Sequence, residues 1–197
     1  MKRIFSIFLC LLLIACLLVG CGGKTDPSAG ESGGTEAEST PETGKENEPA
    51  EVELNLADAV NAINAVANVK EPLVLSPAEA GSEDYLTDLY GLDLTVIEDY
   101  YGLTTQISTY SDVVLLVKAS AGNADAVRSA LEVSRTNLAN TFQMYDDVEY
   151  TKADNGLVVS TGDFVLLAIA GDPDRIAAGE TDAVYTEIAE AVDAALR

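Results

Sequence analysis

Carboxylates are the reactive side chains that this sequence supplies in quantity. Asp and Glu together number 33, whereas His is absent and Cys occurs three times in 197 residues. Without imidazole, a Ser-His-Asp triad, a histidine general base and the usual zinc sites are all impossible. Chemistry in this chain would therefore rest on acids that work in pairs or on oxygen ligands for a cation.

Two groups of acids are close enough in sequence to be considered as such sites. Asp146, Asp147 and Glu149 form one group, and Asp172 with Asp174 forms the other. A calcium loop requires oxygen ligands at alternate positions, a glycine at its turn and a closing bidentate Glu, and neither group has that spacing. We therefore interpret both groups as solvated turns, and we predict no metal, no cofactor and no catalytic residue. A pair of acids that cleaves glycosidic bonds is the alternative.

The tyrosines indicate a binding surface rather than a reaction. Five of the eight crowd into one stretch, and they are Tyr85, Tyr90, Tyr100, Tyr101 and Tyr110. An exposed tyrosine combines apolar area with a polar tip, which makes a good binding surface. The same residues can also fill the edge of a core beneath short helices. The stretch therefore predicts either a binding face or core padding.

Cys21 is the thiol for which the sequence around it indicates a reaction. Lys2 and Arg3 form a basic start, and a mostly apolar run over residues 4–20 follows, as in a secretory signal peptide. The run ends in Leu-Val-Gly directly before Cys21, which resembles the lipobox of bacterial lipoproteins. That resemblance implies cleavage between Gly20 and Cys21 and transfer of a lipid to the cysteine thiol.

Lipidation of Cys21 would hold the chain stably at the membrane, since two or more acyl chains bind far more tightly than one. Cys10 and Cys16 would leave with the signal, so the mature chain would contain neither a disulfide nor a free thiol. We therefore expect a lipid-anchored protein on the extracytoplasmic face of the cell membrane. The alternatives are plain secretion and an uncleaved transmembrane helix, for which the apolar run is at the short edge of the roughly 17–25 residues required.

Composition divides the remainder of the chain into a linker and a domain. Residues 21–50 are rich in Gly, Ser, Thr, Glu and Pro, so we predict a disordered acidic linker. Residues 51–197 are expected to form a single globular domain, which leaves residues 1–20 as the signal peptide. The formal net charge of −22 would become −24 with the loss of the two basic signal residues. Such an acidic chain repels phosphates, so nucleic acid and charge-driven docking on anionic lipid are not expected.

Hydrophobic periodicity predicts the elements that carry these residues. Helices are expected over residues 55–69, 82–90, 93–101, 122–142 and 172–196, with a break at Gly179. Strands are expected over residues 104–109, 113–118, 156–160 and 164–170, with an extended piece over 72–77 and a polar connection over 146–155. This order predicts an α+β fold of ββα-ββα type, in which a four-stranded, mostly antiparallel sheet has both long helices packed on one face. The N-terminal helix packs beside them or on the other side of the sheet.

Three segments of the predicted domain carry a family pattern. They are Tyr90-Gly91-Leu92-Asp93, Ile97-Glu98-Asp99-Tyr100 and the run from Tyr110 to Lys118, accompanied by Arg135, Phe142, Tyr145 and the hairpin at residues 162–166. Over residues 54–170 the chain resembles the domain-of-unknown-function family number 4358. The resemblance implies a Gram-positive lipoprotein with a spacer and one domain, and it implies no activity. The chain departs from the family where Asp112 is followed by Val113, because an acidic pair is usual there.

These observations favour a binding protein over an enzyme. We expect a non-enzymatic binding or accessory module of the cell envelope, which acts on an unknown envelope protein or wall polymer. Its expected contact face is the tyrosine stretch. The alternative is a carboxylate-based hydrolase of envelope glycan, which requires two acids that face each other across a cleft. A solute receptor for a transporter is disfavoured, because such receptors usually have two lobes.

Overall fold

The structure, a computed structural model, describes residues 54–197. The predicted signal peptide, Cys21 and the linker lie outside the described residues. The α-helices are α1 (Leu56–Ala67), α2 (Ser82–Asp84), α3 (Ala124–Phe142), α4 (Asp147–Asn155), α5 (Pro173–Ala177) and α6 (Thr181–Ala195). A π-helix over Tyr85–Leu89 continues α2, and a 3₁₀ helix covers Leu94–Val96. The strands are β1 (Pro72–Leu75), β2 (Ile97–Thr105), β3 (Val113–Ala119), β4 (Leu157–Thr161) and β5 (Phe164–Ile169). Among the helices of this described part, none is long and apolar enough to cross a membrane.

The five strands form one antiparallel sheet in the order β1-β2-β3-β5-β4. The hairpins β2-β3 and β4-β5 meet at its centre, where Leu116 lies opposite Leu166. The α+β class is confirmed, but the prediction of four strands is wrong by one. The additional strand is β1, which pairs with the end of β2. The strand expected over residues 104–109 is misplaced, because β2 runs from Ile97 and ends at Thr105. Its four residues begin with Pro72 and are too few to show an alternation in the sequence.

Strand β2 begins within a segment that the sequence predicts to be helical. The helix expected over residues 93–101 is wrong, because only a 3₁₀ turn over Leu94–Val96 is helical there. Glu98 and Asp99 obscure the strand, since acids are depleted in strands. Both side chains are exposed, near a register shift that separates the first pair of β2 and β3 from the rest. The strand signal is therefore weakest where the chain is acidic.

The two central strands are apolar on both faces. In β3, Val114 and Leu116 belong to one hydrophobic core, whereas Leu115 and Val117 belong to the other. Strand β5 continues both sets, and its residues from Val165 to Ile169 are buried. A sheet whose central strands are apolar on both sides needs a cover on each side.

The long helices α3 and α6 supply the two covers from opposite sides. Helix α6 packs with α1 on the core that contains Leu116, and α3 packs on the core that contains Leu115. The prediction that both long helices lie on one face is therefore wrong, because it would leave the other face of β3 and β5 uncovered. The position of α1, which the sequence left open, is beside α6.

Helix α4 occupies a segment that the sequence predicts to be a polar connection, so this prediction is also wrong. Asp146 caps the helix, because its carboxylate accepts the backbone N–H groups of Val148 and Glu149 at 2.9 and 3.0 Å. The buried side chains of α4 include Glu149 and Lys152. Periodicity does not reveal a helix whose buried face is charged, since there is no apolar stripe to detect.

Candidate functional site

A buried ionic cluster joins helix α4 to the loop that precedes strand β3. Nζ of Lys152 lies 2.6 Å from Oδ1 of Asp112 and 2.7 Å from Oε1 of Glu149. The exposed fractions of Lys152, Asp112 and Glu149 are 0%, 1% and 3%. Charged side chains are seldom buried this deeply, because the desolvation of each one costs several kcal/mol. We call these three residues the buried ionic cluster.

Backbone and hydroxyl donors satisfy the remaining carboxylate oxygens of the cluster. Oε2 of Glu149 accepts the N–H group of Ser111 at 2.7 Å and its hydroxyl at 2.8 Å. Oδ2 of Asp112 accepts the backbone N–H group of Lys70 at 3.0 Å. On the other side, the hydroxyl of Tyr185 in α6 donates to the backbone carbonyl oxygen of Lys152 at 2.6 Å. The cluster therefore ties together segments that are far apart in the chain.

The electrostatics of the cluster oppose additional negative charge. Two carboxylates share one ammonium group, so the fully ionised cluster carries one net negative charge. Burial raises the pKa of the Asp112 carboxyl, and the contacts with Lys152 and with the Lys70 amide oppose that rise. Burial also raises the pKa of the Tyr185 hydroxyl, and the carboxylates of Asp112 and Glu149 add to that effect. Both groups are therefore biased toward their neutral forms.

Tyr110 connects the buried ionic cluster to the protein surface. The centroid of its ring lies 5.6 Å from Nζ of Lys152, which is within the range of a cation–π contact. The rest of the Tyr110 side chain is partly exposed. One residue thus covers the ammonium group on its inner side and contacts solvent on its outer side.

Large hydrophobic side chains are exposed on this side of the fold. They are Ile107 and Tyr110 in the loop between β2 and β3, and Met144 and Tyr145 after α3, and we call these four residues the contact patch. Met144 and Tyr145 are 84% and 81% exposed, more than any other large hydrophobic residue in the described part of the chain. A pocket of about 360 Å³ lies between the loop and the end of α3, lined in part by Phe142 and Tyr145. The contact patch therefore offers both protruding side chains and a recess.

The fold does not bring the five tyrosines singled out in the sequence to one surface. Tyr90 and Tyr100 are buried in the same core, and the hydroxyl of Tyr90 forms a buried hydrogen bond. Tyr101 packs against the opposite core, because successive residues of a strand face opposite sides of the sheet. Tyr85 and Tyr110 are partly exposed. Tyr90 and Tyr100 therefore fill the core, as one of the two interpretations of the stretch predicts. A binding role for the exposed tyrosines stays a prediction.

An open groove of about 680 Å³ lies beside Tyr100 and Tyr101, next to the first residues of α1. Lys118 and Glu98 line it and form an ion pair at 3.2 Å. The volume matches that of small-ligand sites, which usually enclose most of the ligand surface. This groove is open to solvent, so it offers a ligand little enclosure.

The acids that the sequence groups together have separate structural roles. Asp146 and Asp172 cap helices, and the N–H groups that Asp172 accepts lower the pKa of its carboxyl. Asp147 and Asp174 are exposed. Glu149 belongs to the buried ionic cluster, so the interpretation as a solvated turn is wrong for this residue. Within residues 54–197 there is no group of three or more acids placed to hold a metal ion.

Sequence reasoning does not find the buried ionic cluster. The sequence pattern does not single out Lys152, because a buried lysine in a polar segment has no periodic signature. One signal was present: Glu149 and Lys152 are three positions apart, which is the spacing of neighbouring side chains on a helix. That spacing is informative only once the segment is known to be helical.

The family comparison covers the part of the chain that contains both sites. Residues 72–170 match a family described as a domain of unknown function, DUF4358. The chain belongs to the DUF4358 family. The match spans about half of the chain and includes the buried ionic cluster and the contact patch, but it ends before α5. No curated protein and no solved structure matches the chain.

Proposed function

We propose that this DUF4358 protein is a non-enzymatic binding or accessory module of the bacterial cell envelope. In this proposal Cys21 carries the lipid anchor on the extracytoplasmic face, and residues 21–50 form the spacer. The domain then binds a protein partner through the contact patch. The observation that carries the proposal is the exposure of Met144 and Tyr145 beside the pocket at Phe142.

The residue types of the contact patch favour protein recognition. Tyr and Met are enriched at protein interfaces, where large side chains are desolvated on binding. The pocket beside Phe142 has room for an apolar side chain of the partner. The contact of Tyr110 with Lys152 holds the loop side of the patch in place, which reduces the ordering cost of association.

The partner is expected to carry basic residues around an apolar anchor. Asp146 lines the pocket, and the exposed Asp147 follows it in the chain. The whole chain carries a formal charge of −22, so a cationic partner would be attracted and an anionic wall polymer repelled. An envelope protein with apolar side chains flanked by Lys or Arg therefore fits this surface best.

The alternative, a carboxylate-based hydrolase, has less support from the acids that the fold brings together. The two carboxylates around Lys152 are closed to substrate. At the surface, Glu180 and Glu187 both contact Arg175, at 2.9 and 2.7 Å. A glycosidase needs two acids with the substrate between them. In both places a basic side chain occupies that position.

Crosslinking of the full-length protein in its own membrane tests the contact patch. The variant is the double substitution Met144→Ala and Tyr145→Ala, and Val133→Ala on α3, which is also well exposed, is the matched control. We expect the wild type and the control to crosslink to the same reproducible protein partner. The double variant should recover at least about tenfold less of that partner. Equal recovery with the double variant would overturn the contact patch as the binding surface.

The anchor is tested separately, because it does not depend on the partner. Cys21→Ser removes the thiol that would be lipidated. We therefore expect the variant to be depleted from the membrane fraction and to be found in the culture medium. Retention of the variant in the membrane at its wild-type level would favour an uncleaved apolar segment over a lipid anchor.

A further inference from the structure

We propose that Lys152 and Asp112 condense, without any other enzyme, into an isopeptide bond that joins helix α4 covalently to the start of strand β3. The two residues are 40 positions apart in the chain. Nζ of Lys152 lies 2.6 Å from Oδ1 of Asp112. The carboxyl carbon Cγ, which the amine would attack, is bonded directly to that oxygen. Both side chains are enclosed by the protein. This proposal concerns the buried ionic cluster, which meets the contact patch at Tyr110, and it does not rest on the proposed function.

The geometry supplies the first requirement of the reaction, which is proximity. When an amine and a carboxyl are held in well-oriented contact, the effective molarity of one toward the other reaches about 10⁵–10⁸ M. The amine and the carboxyl of this pair are held on separate elements, α4 and the loop before β3, and packing fixes both. Exclusion of bulk water also suppresses the reverse reaction, which is hydrolysis of the amide.

The second requirement is that the amine and the carboxyl are both neutral. Transfer of one proton from the ammonium group of Lys152 to the carboxylate of Asp112 neutralises both and leaves the net charge of the cluster unchanged. Burial raises the pKa of the Asp112 carboxyl, which favours this carboxyl as the proton acceptor in the exchange. Glu149 contacts the same Nζ at 2.7 Å and can carry the proton between them.

The condensation then balances with water as its one by-product. The lone pair of Nζ attacks Cγ of Asp112, the N–C bond forms, and the C=O π electrons move to Oδ2. Glu149 accepts a proton from Nζ and delivers it to the departing Oδ1 hydroxyl group. The C–Oδ1 bond breaks, water leaves, and the carbonyl at Oδ2 forms again. The products are one amide and one water molecule, and Glu149 returns to its carboxylate form.

Lys70 and Ser111 hold the reacting groups in position through three further hydrogen bonds. The backbone N–H group of Lys70 donates to Oδ2 of Asp112 at 3.0 Å, where negative charge develops in the tetrahedral intermediate. The N–H and hydroxyl groups of Ser111 hold Oε2 of Glu149, which leaves Oε1 directed to Lys152. The site thus contains a nucleophile, an electrophile, a proton carrier and an oxyanion donor in one enclosed volume.

Mass spectrometry of the full-length protein, purified from membranes and denatured, tests the proposal without any variant. We expect the wild-type chain to be lighter than its sequence and lipid require by one water molecule. Trypsin should then yield a branched peptide in which residues 71–118 are joined to residues 136–175, with no cleavage after Lys152. An intact mass with no loss of water, together with ordinary cleavage after Lys152, would overturn the proposal. Lys152 and Asp112 would then form an ion pair and no covalent bond.

Variants then identify the reacting groups. Lys152→Arg retains the positive charge but not the amine, so the branched peptide should disappear. Lys118→Arg is the matched control, because Lys118 also contacts a carboxylate, that of Glu98, but its side chain is 30% exposed. The control Lys118→Arg should retain the branched peptide. If the branched peptide persisted in Lys152→Arg, another lysine would form the bond.

The role of Glu149 is tested by the rate of bond formation. Glu149→Gln preserves the shape of the side chain but cannot accept the proton. Both the variant and the wild type are isolated unfolded, before the bond has formed, and are then refolded under the same conditions. We expect the branched peptide to accumulate about 100-fold more slowly in Glu149→Gln than in the wild type. An unchanged rate would remove Glu149 from the reaction.

Discussion

Two clusters in this protein contain the same set of charges, one basic side chain between two carboxylates, in opposite environments. The buried ionic cluster around Lys152 is almost fully enclosed. At the surface, the side chains of Arg175, Glu180 and Glu187 are 35%, 54% and 48% exposed. The nitrogen–oxygen contacts in both clusters lie between 2.6 and 2.9 Å. Contact distance therefore does not distinguish them, and the environment decides what each contact contributes.

The difference lies in what replaces a lost partner. At the surface, water solvates whichever charge remains, so an ion pair there contributes little. In the interior no water is available, and a remaining charge is left uncompensated. The basic groups differ as well, because Arg175 binds Glu187 through two parallel hydrogen bonds, whereas Lys152 contacts both carboxylates through one nitrogen atom.

The largest expected effect comes from removal of the buried ammonium group. Lys152→Ala should destabilise the protein by about 3–5 kcal/mol, because two enclosed carboxylates lose their counter-charge. In a chain whose Lys152 has already condensed with Asp112 there is no ammonium group to remove, and loss of the isopeptide bond would instead cost about 4 kcal/mol by the loop-closure argument used for disulfides. Urea unfolding of the full-length protein measures the change, with Arg175→Ala as the control. A loss no greater than that of the control would mean that the two clusters are equivalent.

An intermediate effect is expected at alkaline pH near the buried ionic cluster. Well below pH 10, the pKa of an ordinary tyrosine hydroxyl, Tyr185 is protonated in both the folded and the unfolded chain and contributes no pH dependence. Above that pH the unfolded chain releases the proton and the folded chain keeps it, because burial raises the pKa of Tyr185, so stability falls as pH rises. Tyr185→Phe should reduce the slope by up to about 1.4 kcal/mol per pH unit. Urea midpoints measured from pH 8 to about 11.5 test this, with Tyr145→Phe at the exposed contact patch as the control, and an unchanged slope for Tyr185→Phe would contradict it.

The smallest expected effect is at the exposed cluster, and salt should reveal it. Arg175→Ala should lower the urea midpoint slightly at low ionic strength. In about 1 M NaCl the Debye length is only about 3 Å, so the difference from the wild type should vanish. The effect of Lys152→Ala should persist in the same salt, since enclosed charges are screened much less. A salt-independent deficit for Arg175→Ala would show that this cluster acts through packing rather than charge.

Elements with a strong periodic pattern were predicted well from the sequence. Helix α3 was expected over residues 122–142 and occupies Ala124–Phe142. The β4-β5 hairpin also agrees to within a residue at each end of its strands, because an apolar run follows the tight turn at Gly162. In these segments the apolar side chains that form the core are the same ones that define the period.

The rest depended on contacts that a local pattern does not contain. Strand β1 is defined by its pairing with β2, and α4 is defined by a buried face of charged residues. The buried ionic cluster joins Asp112 to Lys152 across 40 positions, and no single-sequence pattern records such a pairing. The exposure of Met144 and Tyr145 depends likewise on where α3 ends against the neighbouring loop. The sequence therefore predicted the fold class, but the position of the candidate sites required the structure.

Strand β1 affects how copies of this protein would behave side by side. It ends the sheet with only four residues, and the first of them is the exposed Pro72. Because proline has no N–H group, this edge gives the strand of another molecule little to pair with. Proteins tethered in one plane, as proposed here, meet their neighbours often and in similar orientations. A short edge that begins with proline would let such molecules crowd together without joining their sheets into fibres.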